Sequence, residues 1–371
     1  MIIGIPKEIK ENEDRVAITP DGVTELVNLG HIVHIEKSAG LGSSIEDKDY
    51  VEAGAKIMSK EEVFETADII VKVKEPLEEE YTYFKDGQTL FTYLHLAADK
   101  KQAEFLLKKN ITGIAYETVE DEDGMLPLLN PMSEVAGRMA IQIGANLLQK
   151  NNGGRGMLLG GVPGVLPSKV CIIGAGNVGQ NAAKIAIGMG AQVTILDISS
   201  KKLKSMDDRY SSRVTTLISS AYNIANAVKE ADLLIGAVLI PGGKAPKLVT
   251  KDMVKAMKKG AVIVDVAIDQ GGCIATIDRV TTHKDPFYEK YGVIHYSVAN
   301  MPGAVPRTST FALVSATIPY LKKILSKPNI EDILKTNEDI LKGLNTYKGK
   351  CTNANVAKAL DLEYTNILEI I

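Results

Sequence analysis

The stretch Val170-Cys171-Ile172-Ile173-Gly174-Ala175-Gly176-Asn177-Val178-Gly179 sets three glycines in G-x-G-x-x-G spacing directly behind an apolar run. Between a strand and a helix, such a turn binds the pyrophosphate of a dinucleotide. Gly174 permits the tight turn, Gly176 lets the phosphates approach the backbone, and Gly179 lets helix and strand pack closely. The helix N-terminus, with its unpaired N–H groups, then faces the anion. Alone, the motif is weak. Here the next apolar run, 192–196, ends in Asp197, about 20 residues on, where a carboxylate hydrogen-bonds the adenosine ribose. A carboxylate there accepts from both ribose hydroxyls and repels a 2′-phosphate, which favours NAD over NADP. Lys201 and Lys202 nearby temper this, although lysines at a helix start are usually only solvated.

Ligands of open parallel sheets gather at the C-terminal ends of strands. Four polar residues follow apolar runs directly: Lys74 after 69–73, His95 after 90–94, Asp269 after 262–268 and Asn300 after 294–299. Each has a commoner structural explanation: a snorkelling lysine, a satisfied histidine, a capping aspartate, a turn asparagine. Arg15, after Glu13 and Asp14, reads equally as half of a surface pair.

The elements that must position these residues fall into two α/β blocks. Strands are predicted at 2–5, 32–35, 69–73, 89–94 and 112–115, with amphipathic helices at 21–29, stopped by Gly30, and at 100–109. A long helix is predicted over 132–149, followed by a glycine-rich loop or hairpin over 153–164. Strands resume at 170–173, 192–196, 233–237, 261–267 and 294–298, with a helix over 180–189. After Pro302-Gly303-Ala304-Val305-Pro306 a helix spans 308–323, and the remainder reads as helical with few β signals. Such a tail is too small for a core of its own and should return to cover the first block. The expectation is an α/β fold of two domains with mostly parallel sheets covered on both faces. One comprises 1–129 with 303–371 and is discontinuous; the other, 130–302, binds the dinucleotide.

At 371 residues and a net charge of -3, the chain suits two domains and offers no polyanion-binding surface, so nucleic acid is not an expected partner. Its apolar runs are far shorter than the roughly 20 residues a bilayer needs, and no membrane partner is expected. The N-terminus lacks signal-peptide order, which points to the cytoplasm. Three scattered cysteines, Cys171, Cys273 and Cys351, argue against a disulfide framework and against a metal centre, and Cys171 reads as core.

Further spellings accompany the glycine turn: Gly4-Ile5-Pro6-Lys7-Glu8, Arg15-Val16-Ala17, Lys72-Val73-Lys74-Glu75-Pro76, Tyr93-Leu94-His95 and Pro131-Met132-Ser133-Glu134-Val135-Ala136-Gly137. Asp269-Gln270-Gly271-Gly272, Val298-Ala299-Asn300-Met301-Pro302-Gly303, Gly343-Leu344-Asn345-Thr346 and Lys348-Gly349 follow. In this order they closely resemble the bacterial alanine dehydrogenase family, NAD-linked enzymes interconverting L-alanine with pyruvate and ammonia. The resemblance runs nearly end to end. It implies two Rossmann-like, doubly wound domains with the active site in a cleft between them, and a homohexamer. Arg15 and Lys74 would hold the substrate; His95 and Asp269 would be the acid and base residues. The dinucleotide site would be lined by Ser133, Gly174, Gly176, Asn177, Val178, Gly179, Asp197, Lys202, Ser219, Val238 and Leu239. Val266, Ala267, Ile268, Asp269, Arg279, Val298, Ala299, Asn300 and Met301 would complete it. Asp278 beside Arg279 could draw that arginine away from a phosphate.

The residue types agree with that chemistry: an arginine for a carboxylate, a lysine as a point charge, and a histidine whose ordinary pKa near 6.5 suits proton shuttling. Two other readings stay open. The NAD-binding component of a proton-translocating transhydrogenase shares the plan without needing the alanine-site residues. A non-catalytic NAD-sensing protein would bind NADH without turnover.

Overall fold

The computed structural model describes residues 1–238 and 245–371, without the side chains of Asp269 and Gln270. Among the described residues the strands are β1 (Ile2–Ile5), β2 (Ile32–Glu36), β3 (Lys56–Met58), β4 (Ile69–Val71), β5 (Thr89–Thr92), β6 (Thr112–Ala115), β7 (Lys169–Ile173) and β8 (Gln192–Asp197). They continue with β9 (Val214–Ile218), β10 (Leu233–Gly236), β11 (Val262–Asp265), β12 (Phe287–Lys290), β13 (Val293–Tyr296), β14 (Leu344–Tyr347) and β15 (Lys350–Cys351).

The chain divides into two compact units, one of Met1–Met132 with Val305–Ile371 and one of Ser133–Ala304. The first carries a sheet in the order β15-β14-β6-β5-β4-β1-β2-β3, parallel from β6 to β3. Its strands are apolar at successive positions because both faces are covered. Ile3, Ile69, Val71 and Phe91 pack into a core on one side, with Leu313, Ile318 and Leu321 of the helix Pro306–Ile324. Ile70 and Leu90 point the other way, to Val63 and Phe64.

The C-terminal tail departs from the helical expectation. Its β14 and β15 form a hairpin that joins the first sheet antiparallel to β6. Lys348 and Gly349 both take positive φ, 47° and 73°, the left-handed pair that a two-residue hairpin turn requires. The strands are too short for periodicity to reveal, whereas the Lys-Gly turn was readable.

The second unit has the order β12-β13-β11-β10-β7-β8-β9, parallel except for the β12 edge. Val170 and Ile172 enter one core and Cys171 and Ile173 the other, so this sheet too is wound on both faces. The helix Asn130–Leu147 begins two residues before the predicted start, with Pro131 in its first turn, where the missing N–H costs nothing. The helix Asn177–Gly188 begins three residues early, directly on the glycine turn. Strands β3, β9 and β12 were not predicted. In the glycine-rich stretch, Val162 and Val165 pair antiparallel across Pro163-Gly164, making a tight hairpin.

Lys72 lies fully buried just past β4, with its ammonium 2.8 Å from Glu80 and 3.3 Å from Glu8. Burial acts to lower its pKa, and the two carboxylates more than reverse this. Glu8 is pushed up by burial, with Lys72 opposing. Lys72→Met should therefore destabilise the protein by about 3 kcal/mol at neutral pH, because two buried carboxylates lose their cation. Glu8 already has a folded pKa above its unfolded one and would be raised further without its cation, so the deficit should shrink as pH falls. Urea unfolding at several pH values measures both; a pH-independent or negligible loss would contradict the account.

Candidate active site

In the first unit, Arg15 is buried, contrary to a surface pair. Its Nε and Nη2 donate to the Glu13 carboxylate at 2.6 and 2.5 Å, and Nη1 reaches Met132 Sδ at 3.0 Å. Burial alone would lower the arginine's pKa, but Glu13 raises it overall. The guanidinium is thus oriented by a carboxylate that shares its enclosure.

Lys74 and His95 leave the C-terminal ends of the neighbouring strands β4 and β5, which brings their tips together: Lys74 Nζ stands 3.5 Å from His95 Nε2. Tyr93 lies beside both, its ring stacked near-parallel to His95 at 5.9 Å and facing the Lys74 ammonium at 5.9 Å. Thr92 Oγ1 donates to the Lys74 carbonyl at 2.9 Å, and Lys10 pairs with Glu75 next door. The His95 ring keeps solvent contact but is crowded by protein, and desolvation followed by the Lys74 charge holds its pKa below the ordinary value. Lys74 is lowered by desolvation and then by Arg15. A neutral imidazole beside an ammonium is an arrangement that can pass a proton.

Carboxylates that sequence reasoning did not single out, Glu8 buried and Glu117 half-buried, hold these turns. Glu8 Oε1 accepts the Val73 N–H at 2.6 Å and the Lys74 N–H at 3.4 Å. Glu117 accepts the N–H groups of Leu94 and His95. Glu8 was visible only as part of a quoted motif. Glu117, at the end of a predicted strand, was detectable by the same strand-end rule that picked out His95.

In the second unit, the glycine turn, Asp197 and Val238 stand at the C-terminal ends of the neighbouring strands β7, β8 and β10. Gly174 has φ +104°, and a Cβ at Gly179 would sit 1.8 Å from the Gly174 carbonyl oxygen. A Cβ at Gly176 would meet nothing within 4 Å, so this face is open for phosphate to approach, and the residues fit a dinucleotide. Asp197 ends β8; its carboxylate accepts the Ala175 N–H at 2.7 Å and the Ser199 N–H at 2.8 Å, tying the glycine turn to the end of the second strand. Ser219 N–H donates to the Asp197 carbonyl at 3.0 Å, and Val238 flanks Gly174. A Cβ at Gly137 would lie 2.2 Å from the Val178 carbonyl, so this part of the helix Asn130–Leu147 touches the glycine-turn helix, with Ser133 one turn earlier on the same face.

Val266, Ala267 and Ile268 begin the short turn Val266–Gln270 after β11, which also carries the backbone of Asp269; the Asp269 side chain lies outside the described residues, as does Leu239. Asp265, at the end of β11, is fully buried and accepts the N–H groups of Ala267, Cys273 and Ile274 at 3.1, 2.8 and 3.1 Å. Burial pushes its carboxyl up to about 6. Val298, Ala299, Asn300 and Met301 follow β13 at the same edge, with Asn300 at φ +53°. Lys202 is exposed on the first turn of the helix Ser200–Tyr210. Arg279 stacks on the Tyr288 ring at 3.8 Å and lies 3.6 Å from Asp278, which also pairs with Lys290. A cavity of about 680 Å³ in this unit lies at the opposite edge, among Lys169, Gln192 and Arg213, away from all of these groups.

A doubly wound sheet with a glycine turn, an open phosphate face and a carboxylate at the second strand end defines a dinucleotide-binding protein. Residues 4–136 match the family model for the alanine dehydrogenase/PNT N-terminal domain, and residues 140–354 that for the C-terminal domain. The chain belongs to the alanine dehydrogenase/PNT family. It is 62% identical over 366 residues to an alanine dehydrogenase of Methanococcus maripaludis, covering 98% of each chain. Among solved structures it is similar to an L-alanine dehydrogenase, at 49% identity and a TM-score of 0.94 over 97% of this chain and 99% of that one. It is similar also to a transhydrogenase from Sinorhizobium meliloti, at 25% identity and a TM-score of 0.79, over 95% and 99%.

Two measurements check this geometry. Lys74→Met removes the nearest charge depressing His95, so the His95 pKa followed by NMR of labelled histidine should rise; an unchanged value would sever the pair. Asp197→Ala removes a charged acceptor worth about 1.5–3 kcal/mol, so NADH binding followed by fluorescence should weaken roughly 10- to 100-fold.

Proposed function

We propose that this chain catalyses the reversible NAD-dependent oxidative deamination of L-alanine to pyruvate and ammonia. The observation that carries the reading is the end-to-end likeness to alanine dehydrogenases, at 62% identity, far above the likeness to the transhydrogenase. The geometry supplies the chemistry. Arg15, oriented by Glu13, pairs with the substrate carboxylate from its Nη1 side. Lys74 presents a point charge to the carboxylate or to the carbonyl oxygen as it forms. NAD held by the glycine turn would supply the hydride acceptor for the alanine Cα, and the residues of this chain then handle the substrate imine.

Neutral His95 takes a proton from the water that adds to the imine. It returns that proton to the nitrogen and takes up the carbinolamine's hydroxyl proton as the C–N bond breaks, releasing pyruvate and ammonia. Asp269 stabilises the cationic amine or imine and orients the water. Gly174, Gly176, Asn177, Val178 and Gly179 would hold the cofactor, with Asp197 toward its adenosine ribose. Ser133, Lys202, Ser219, Val238, Leu239, residues 266–268 and 298–301, and Arg279 are proposed to line the rest. Arg279 would have to turn from Asp278 to reach a phosphate.

The substrates are thus L-alanine, pyruvate and ammonium, in a step of L-alanine catabolism. The proposed assembly is a homohexamer and the proposed compartment the cytoplasm; among the described residues no helix is long and apolar enough to cross a membrane.

NADH absorbance should fall with pyruvate plus ammonium, and not with pyruvate alone or with an NADP analogue as acceptor. Loss of absorbance only with the NADP analogue would assign transhydrogenation, and NADH binding without turnover would assign a sensor. His95→Ala and Asp269→Ala should each lower turnover severely while NADH binding stays nearly intact; a variant that keeps wild-type turnover removes that residue from the mechanism.

A further inference from the structure

His95 is held in a conformation that its own side chain disfavours. Its backbone lies at φ +48° and ψ +32°, in the left-handed region where a Cβ crowds the following carbonyl. A residue there persists only when its surroundings over-determine it. The surroundings here come from the neighbouring strand. β6 runs parallel to β5 with Thr92 opposite Ala115, so the turn Tyr116–Thr118 leaves the sheet beside residues 93–95.

Glu117 on that turn directs its carboxylate at the backbone of its neighbour. Oε1 accepts the His95 N–H at 2.5 Å and the Leu94 N–H at 3.2 Å, and Oε2 also lies 3.2 Å from the Leu94 nitrogen. With the Leu94 and His95 N–H groups both held by this carboxylate, the peptide plane leading into His95 is fixed, and it is from that anchored plane that the left-handed residue turns the chain. The Tyr116 ring, next to Glu117, packs edge-on against Tyr93 at 5.0 Å and so ties the two turns together a second time.

The turn is fixed in its own right by the C-terminal segment. Asn345 Nδ2 donates to Thr118 Oγ1 at 2.7 Å, and Thr118 Oγ1 lies 3.1 Å from the Gly343 carbonyl oxygen. A Cβ at Gly343 would stand 2.7 Å from Val119 Cγ2. The Gly343-Leu344-Asn345-Thr346 spelling, which no catalytic step uses, thereby acquires a reason: it locks the turn that locks His95.

We infer that Glu117 is the positioning residue of His95, acting as a hydrogen-bond acceptor that fixes the left-handed backbone from which the imidazole meets Lys74. The inference rests on the reading of His95 as the acid–base residue. What Glu117 supplies is acceptor geometry at Oε1, and Gln retains an oxygen there. Met fills nearly the same volume without an acceptor.

The test uses the full-length protein as Glu117→Met and Glu117→Gln, each labelled with ¹⁵N-histidine so that the amide signals of the five histidines are seen together. In Glu117→Met the His95 amide proton should move upfield, by the largest change of the five. Turnover should fall on the order of 100-fold, as expected when a catalytic group is displaced by about 1 Å. KM for NAD should stay at the wild-type value, because the dinucleotide residues are untouched. Glu117→Gln should restore most of the turnover and the His95 amide position.

An unmoved His95 amide in Glu117→Met overturns the inference, as does a Gln variant as slow as the Met variant, which would assign the effect to charge. If Glu117→Met does not fold, the Gln variant decides: wild-type turnover and amide position support the acceptor role, and loss of either overturns it. Failure of the underlying reading looks different. There His95→Ala itself retains turnover, while the amide shift still reports whether Glu117 holds that backbone.

Discussion

The turns at the strand ends of this protein hang on carboxylates largely taken out of water and given backbone N–H groups in its place. A strand that stops leaves donors at its end, and a left-handed or 3₁₀ turn adds more, none of which the sheet can satisfy. Glu8 meets those before Lys74, Glu117 those at His95, Asp197 that of Ala175 in the glycine turn, and Asp265 those around the turn bearing Asp269. Hydrogen bonds to a charged acceptor are worth about 1.5–3 kcal/mol each, against a desolvation cost of several kcal/mol per ion. Glu8, Glu117 and Asp265 all have raised pKa values, with burial as the leading cause, so desolvation weighs more than the N–H groups in each. Their service is therefore to geometry rather than to stability.

That geometry works because parallel strands deliver their C-terminal ends to one edge. In the first unit, β4, β5 and β6 lie side by side and present Lys74, His95 and Glu117 in succession. In the second, β13, β11, β10, β7 and β8 do the same for Asn300, the 266–270 turn, Val238, the glycine turn and Asp197. The antiparallel strands β14 and β15 extend the first sheet beyond β6 and brace the turn behind His95.

Much of this was legible in the sequence. Apolar runs buried on both faces read as strands, and the G-x-G-x-x-G spacing with its downstream aspartate named the dinucleotide turn, because each signal is local and the backbone leaves few ways to satisfy it. What failed was short or non-local. β3, β9 and β14 pair with strands distant in sequence, β12 and β15 are edge strands of local hairpins, and the few residues of each carry no periodicity of their own. The residues alone left Arg15 ambiguous between a surface pair and a working group, since burial of an Arg–Glu pair depends on what closes over it.

The sequence by itself determined the α/β class, the glycine turn, the acidic end of β8 and which polar residues stand at strand ends, since all of these follow from residue type and spacing along one stretch of chain. Only the tertiary structure decided that Glu13 turns inward with Arg15, that Lys74 lies within reach of His95, and that Glu117 sets the backbone of His95 from the next strand. Those facts depend on which strands become neighbours and in what register, and neighbours in a parallel sheet are separated by a whole crossover of sequence.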